Sequence, residues 1–147
     1  MLSYYKEIVI ATTDSFEVLD VSEKVSAAVH DSNILEGMVC ISCLHTTCAL
    51  SVNECEERLF DDIKKLFLEI APPEGSYKHN DLHLRANIPP DEPENAHAHL
   101  IAMMLGNSEL VAVHKGNLAL GRYQSILLLE MDGPRERMLA VQVLGAA

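Results

Sequence analysis

At 147 residues and 16.2 kDa, the chain is long enough for one hydrophobic core and too short for two ordinary domains. Apolar residues make up 48% and charged residues 22%, the balance of a folded globular protein, which excludes a low-complexity or disordered chain. A formal net charge of −11 repels phosphate backbones and anionic lipid, so the expected partner is a cation or a small molecule, with no nucleic acid and no membrane.

No apolar run approaches the ~18 residues of a membrane span. The first residues, Met1 to Glu7, lack a basic region followed by an apolar block, so the expected location is cytoplasmic. Tyr4 to Thr12 is rich in β-branched and aromatic residues and reads as a strand. Thr13-Asp14-Ser15 then turns the chain into a second short strand, Phe16 to Leu19, giving a hairpin. A helix capped by Asp20 or Ser22 runs to about Asp31, with Val21, Val25, Ala28 and Val29 on one stripe. Extended chain resumes after Gly37 as strand 38–45, followed by His45-Thr46-Thr47 and a second extended piece, Ala49 to Val52.

Asn53 reads as a helix cap completed by Glu56 three residues later. Along that helix Leu59, Phe60, Ile63, Leu66, Phe67 and Ile70 recur at spacings of three and four, until Pro72-Pro73 end it. Five of the six prolines fall within 71–94, which reads as a long ordered loop, and loops of that length in small domains are usually functional. Asn95 to Leu105 is helical and stops at Gly106-Asn107. The runs Leu110–Val113, Ile126–Met131 and Met138–Leu144, separated by glycine-containing turns, read as a β-meander. This order lacks βαβ alternation, so the expected fold is α+β, a single domain 1–147 with a largely antiparallel, barrel-like sheet packed with two to three helices. There is no glycine-rich phosphate loop, G-x-S-x-G or H-E-x-x-H to support a nucleotide-binding or hydrolase reading.

Cys40, Cys43, Cys48 and Cys55 crowd one region, and the expectation is reduced thiols rather than a disulfide framework. Cys40 and Cys43 form a C-x-x-C, but within a strand positions three apart point to opposite faces, so they cannot share one ion. Seven histidines make a metal site possible, imidazole being the commonest neutral ligand. If 78–85 is extended, His79, Asp81 and His83 share a face. His97 and His99 point about 200° apart on a helix, so only one can face a given site. After His114 four cationic side chains outnumber three acidic ones, and any anion site is expected there. Asp132-Gly133-Pro134 is a turn sequence that starts the final strand at Arg135, whose guanidinium suits phosphate.

The run His45-Thr46-Thr47-Cys48-Ala49-Leu50-Ser51-Val52-Asn53-Glu54 resembles the H-T-[ST]-x-A-x-x-x-N-E signature of the YjbQ-like family, also known as the secondary thiamine-phosphate synthase family. Further matches follow in order: Tyr77-x-His79, the His99 helix leading to Leu105-Gly106-Asn107-Ser108, Gly121-x-x-Gln124, Glu130, and Asp132-Gly133-Pro134-Arg135. The family's usual G-T-W-Q stands here as Gly121-Arg122-Tyr123-Gln124, which keeps an aromatic and loses the tryptophan.

The resemblance implies a homotrimer with a histidine-rich pocket in which His45, His79 and His99 bind a divalent metal ion, expected to be zinc. His83, His97 and His114 do not match. The implied activity joins hydroxymethylpyrimidine diphosphate to a thiazole phosphate and releases pyrophosphate. The ion would neutralise the departing diphosphate. Asn53, Gln124 and Arg135 are the expected substrate-binding residues, while Glu54 and Asp81 would orient ligands or move a proton. The alternatives are a non-catalytic trimer that binds metal or a small ligand, and a hydrolase of a phosphorylated metabolite.

Overall fold

The structure, a computed structural model describing residues 1–147, contains eleven regular elements. They are β1 (Leu2–Ala11), β2 (Glu17–Asp20), α1 (Ser22–Asp31), β3 (Glu36–Cys43), β4 (Cys48–Asn53), α2 (Glu57–Ile70), α3 (Ala96–Leu105), β5 (Ser108–His114), β6 (Asn117–Leu118), β7 (Ser125–Glu130) and β8 (Glu136–Ala146). The strands form two sheets, five-stranded β1-β8-β3-β5-β6 and three-stranded β2-β7-β4, and every pairing is antiparallel. The expected α+β class and curled antiparallel sheet hold, with three helices packed on it.

Two of the expected local pairings do not form. β1 and β2 are not a hairpin, because the ten-residue β1 pairs along its whole length with the eleven-residue β8 while β2 pairs with β7. The last strands are likewise no meander, since β5, β7 and β8 each pair with strands from elsewhere in the chain. Burial decides both outcomes. β7 alternates between two cores, with Ile126 and Leu128 facing one and Leu127 and Leu129 the other. A strand buried on both faces belongs in the middle of a sheet, between β2 and β4, rather than in a solvent-facing meander.

The larger core lies between the sheets and takes in Val25, Ala28 and Val29 of α1, Val39 and Ile41 of β3, and Leu139, Val141 and Val143 of β8. The smaller one covers the outer side of β4 and β7 with Phe67 of α2 and Ala98, Ile101 and Ala102 of α3. α2 begins three residues later than the sequence suggests. Its cap is Glu56, whose carboxylate accepts hydrogen bonds from the N–H groups of Arg58 at 2.9 Å and Leu59 at 2.7 Å, whereas Asn53 ends β4. No helix is long and apolar enough to cross a membrane.

The segment expected to be a functional loop is indeed irregular, but 78–85 is not extended. It makes two 3-10 turns, Lys78–Asn80 and Leu82–Leu84, so His79, Asp81 and His83 share no strand face.

Candidate functional site

β3 and β4 belong to different sheets, and where they part the chain crosses from one to the other through Leu44–Thr47. The gap between the sheets at this end is closed by charge. Arg137 occupies an inward position of β8, in line with Leu139, Val141 and Val143, and it is only 2% exposed. Its counterion is Glu130, the fully buried last residue of β7. Arg137 Nε donates to Glu130 Oε2 at 2.7 Å, and Nη2 donates to Glu130 Oε1 and, at 2.9 Å, to Thr47 Oγ1. Glu130 also accepts from the Thr12 hydroxyl and from the N–H groups of Met131 and Asp132, each at 2.9 Å. Burial by itself raises the Glu130 pKa, but the Arg137 hydrogen bond and its neighbours overcome this and hold it below the ordinary carboxylate value.

This network fixes the Asp132–Arg135 turn. Thr12 Oγ1 accepts the Arg135 N–H at 2.8 Å. A Cβ at position 133 would run into the Asp14 backbone carbonyl and lie 2.9 Å from Glu130 Cγ, so only glycine lets the turn close against the neighbouring loop and the network. Arg135 curls back on its own turn, with Nε on the Asp132 carbonyl and Nη2 on Asp132 Oδ2, both at 2.8 Å.

Above the ion pair opens a cavity of about 680 Å³, whose lining includes His45, Thr46, Thr47, Asn95, His99, Asp132, Arg135 and Arg137. His45 Nε2 accepts the Met138 N–H at 2.8 Å. Its lone pair is therefore used, and a neutral ring presents Nδ1–H as a donor. Burial first, and the Arg137 charge second, lower the His45 pKa against the pull of Glu130.

The opposite wall comes from α3 and the proline-rich loop. α3 turns Ala98, Ile101 and Ala102 into the smaller core and so presents His99 on its other side, leaving His97 facing elsewhere. The loop is tied down by Arg85, which pairs with Glu92 at 2.8 Å and donates to the His79 carbonyl at 3.2 Å, and by Asn80, which accepts the Ala96 N–H at 3.0 Å. It thereby sets the His79 ring edge-on to His99, centroids 4.7 Å apart. Burial and the neighbouring His79 lower the His99 pKa. Asn95 Nδ2 donates to Asp132 Oδ2 at 2.7 Å. Three buried side-chain atoms have no hydrogen-bond partner, namely His79 Nε2, Asn95 Oδ1 and His97 Nδ1.

The structure thus gathers His45 and His99 around one cavity and His79 against His99. No three His, Cys, Asp or Glu side chains converge closely enough to hold an ion between them. Asn53, Glu54 and Gln124 lie elsewhere. Asn53 pairs with Ser125 while Cys48 pairs with Glu130, which puts the two ends of β4 about 17 Å apart at ~3.3 Å per residue. Asp81 lies between the two 3-10 turns. The sulfurs of Cys43 and Cys48 meet across the loop between β3 and β4, so these two are a pair, and only Cys40 and Cys55 are free. The expectation of four separate thiols did not take account of that loop folding back.

Sequence reasoning passed over Arg137, Thr47 and Asp132 as site residues. Arg137 carried a signal, since a charge at an inward position of an otherwise apolar alternation must have a buried partner.

Comparison with known proteins identifies the lineage. The description "UPF0047 protein YjbQ-like" matches residues 6–146. The chain belongs to the YjbQ-like family. Among its relatives, a UPF0047 protein of Archaeoglobus fulgidus is 38% identical over 138 residues, 94% of this chain and 99% of that protein. One from Methanothermobacter thermautotrophicus is 35% identical over 142 residues, 97% and 92% of the two chains. A crystal structure of a protein of unknown function from Sulfolobus solfataricus superposes with a TM-score of 0.88 at 37% identity, covering 97% of each chain. A family member from Clostridium acetobutylicum gives 0.84 at 30% identity, over 95% of this chain and 99% of that one.

Proposed function

We propose that this YjbQ-like protein is a metal-dependent enzyme acting on a small phosphorylated metabolite, with a transfer of the thiamine-phosphate synthase type as the reaction. The observation that carries this reading is the pair of orphaned polar atoms, His79 Nε2 and Asn95 Oδ1, beside the neutral His99 and the Asp132 carboxylate. A buried acceptor without a partner costs about 1–3 kcal/mol, and a bound cation would relieve two such costs together. His79 and His99 would hold the ion through two imidazoles, which are zinc ligands, and the remaining positions would fall to solvent or substrate, since no third His, Cys, Asp or Glu lies close enough. Such an ion would supply charge neutralisation for a departing diphosphate.

The chain's own residues do the rest. Arg85 and Asn80 hold the loop that carries His79, and Asp132 orients Asn95 by accepting its amide hydrogen. A homotrimer suits the outer face of the five-stranded sheet, which no helix covers and where Met38, Leu110 and Leu144 are 46%, 62% and 36% exposed. Light scattering at micromolar concentration checks the assembly.

Elemental analysis of the purified protein, paired with a coupling assay on hydroxymethylpyrimidine diphosphate and thiazole phosphate, tests the function. The expected result is about one zinc per chain and measurable thiamine phosphate, with both lost in His79→Ala. Zinc without turnover would favour the binding-protein alternative. Absence of both would overturn the proposal.

A further inference from the structure

We propose that the crossing loop His45–Thr47, together with Arg137, forms an oxyanion site that grips a phosphoryl group, whether free phosphate or the phosphate of a metabolite. This deepens the functional reading above but rests on the donor wall of the cavity, not on the metal wall.

The argument begins with the backbone. Cys43 N–H donates to the Asn107 carbonyl and Leu44 N–H to the Met138 carbonyl, but the next three N–H groups, those of His45, Thr46 and Thr47, make no hydrogen bond within the chain. The strands on either side belong to different sheets, so no ladder serves this loop. Consecutive free N–H groups in a bend are the elements of an anion-binding nest.

Arg137 stands behind the same loop. Its Nε and Nη2 are committed to Glu130 and Thr47, and Nη1 has no partner. Nη1 is not among the sealed unpartnered atoms, and Arg137 lines the cavity, so Nη1 faces it. The ion pair holds this guanidinium immobile, so its donor is positioned before any ligand arrives. His45 Nδ1–H and the exposed Thr46 hydroxyl are further donors on this wall.

Glu92 and Asp132 also line the cavity and accept. A cavity that presents both donors and acceptors fits a ligand that carries an anionic group together with a cationic or cation-bound one. Arg135, spent on Asp132, is then the lesser anion ligand although it is the more exposed arginine.

Amide NMR of ¹⁵N-labelled, EDTA-treated protein titrated with inorganic phosphate tests the site. The expected result is saturable shifts of the His45, Thr46 and Thr47 amides. Thr46→Val should weaken binding several-fold and Arg137→Lys at least tenfold, with Lys65→Ala, on the exposed side of α2, as the unaffected control. Amides in this loop that do not move in the wild-type protein overturn the proposal. So does a folded Arg137→Lys protein with wild-type affinity. Should Arg137→Lys lose its fold, the wild-type amide shifts and Thr46→Val decide. Metal removal leaves this result standing if the proposal is right, so loss of the zinc reading and loss of the oxyanion site are separate outcomes.

Discussion

The two ends of β4 carry the two halves of one signature, His45 to Thr47 at its start and Asn53-Glu54 at its finish, and they have opposite surroundings. At the start a fully buried Glu130 and a nearly buried Arg137 support a loop with three free N–H groups over a cavity. At the finish Asn53 is exposed and caps its neighbour, Oδ1 accepting the Glu54 N–H at 2.7 Å, while the exposed Gln124 accepts the Gly121 N–H at 2.8 Å. Polar residues at the far end have water and local partners. Those at the cavity end have neither in full, and unmet hydrogen-bonding capacity is what a ligand can use.

The largest expected consequence is in stability. Arg137→Ala strands a buried carboxylate and should cost about 3–5 kcal/mol, whereas Asn53→Ala at an exposed site should stay within about 0.5 kcal/mol. Urea unfolding of the two variants measures the contrast, and equal losses would erase the distinction between the two ends. The pH dependence sharpens it. Because Glu130 has a pKa lowered from its ordinary 4.5 in the fold, its contribution is present in full above that value. It is lost as pH falls through the lower folded value, the unfolded chain binding the proton first. The gap between the urea midpoints of wild type and Glu130→Gln should therefore narrow as pH falls below 4.5. A constant gap down to pH 3 would contradict the buried-pair account.

Smaller effects follow. Glu56→Ala removes the cap of α2 and should cost about 1 kcal/mol by thermal unfolding, against no measurable change for Asn53→Ala. Arg135→Ala loses only a half-exposed ion pair with Asp132 and should cost about 0–1 kcal/mol, with a weaker effect on phosphate affinity than Arg137→Lys. Glu54→Ala should leave phosphate affinity unchanged. A fivefold or greater loss would instead mean that the far end of β4 completes the cavity of a neighbouring copy.

Legibility varied along the chain in the same way. The period of three and four from Leu59 to Ile70 located α2, and continuous apolar runs located β7 and β8, because these patterns record burial along a single element. The start of α2 was misplaced because Asn53 and Glu56 are both competent caps, and the pairing of Asn53 with Ser125 in the sheet selects between them. The β1–β2 hairpin failed for a related reason. A turn sequence favours reversal locally, but a ten-residue strand gains more from an eleven-residue partner than from a four-residue one.

Local order sufficed for elements and for recognising the family, since signature residues keep their spacing regardless of what they touch. His45, His79 and His99 were therefore nameable from the linear chain. Their roles were not, because a role depends on which atom is already bonded. The Met138 N–H, 93 residues away, turns His45 from a ligand into a donor, and the unpaired Nε2 leaves His79 with the opposite capacity. Arg135 and Arg137 are two residues apart, equivalent in composition and charge. Arg135 still belongs to the turn before β8 and bonds back to Asp132, whereas Arg137 is the second residue of the strand and points into the core against Glu130, where a guanidinium is held in place with one donor to spare.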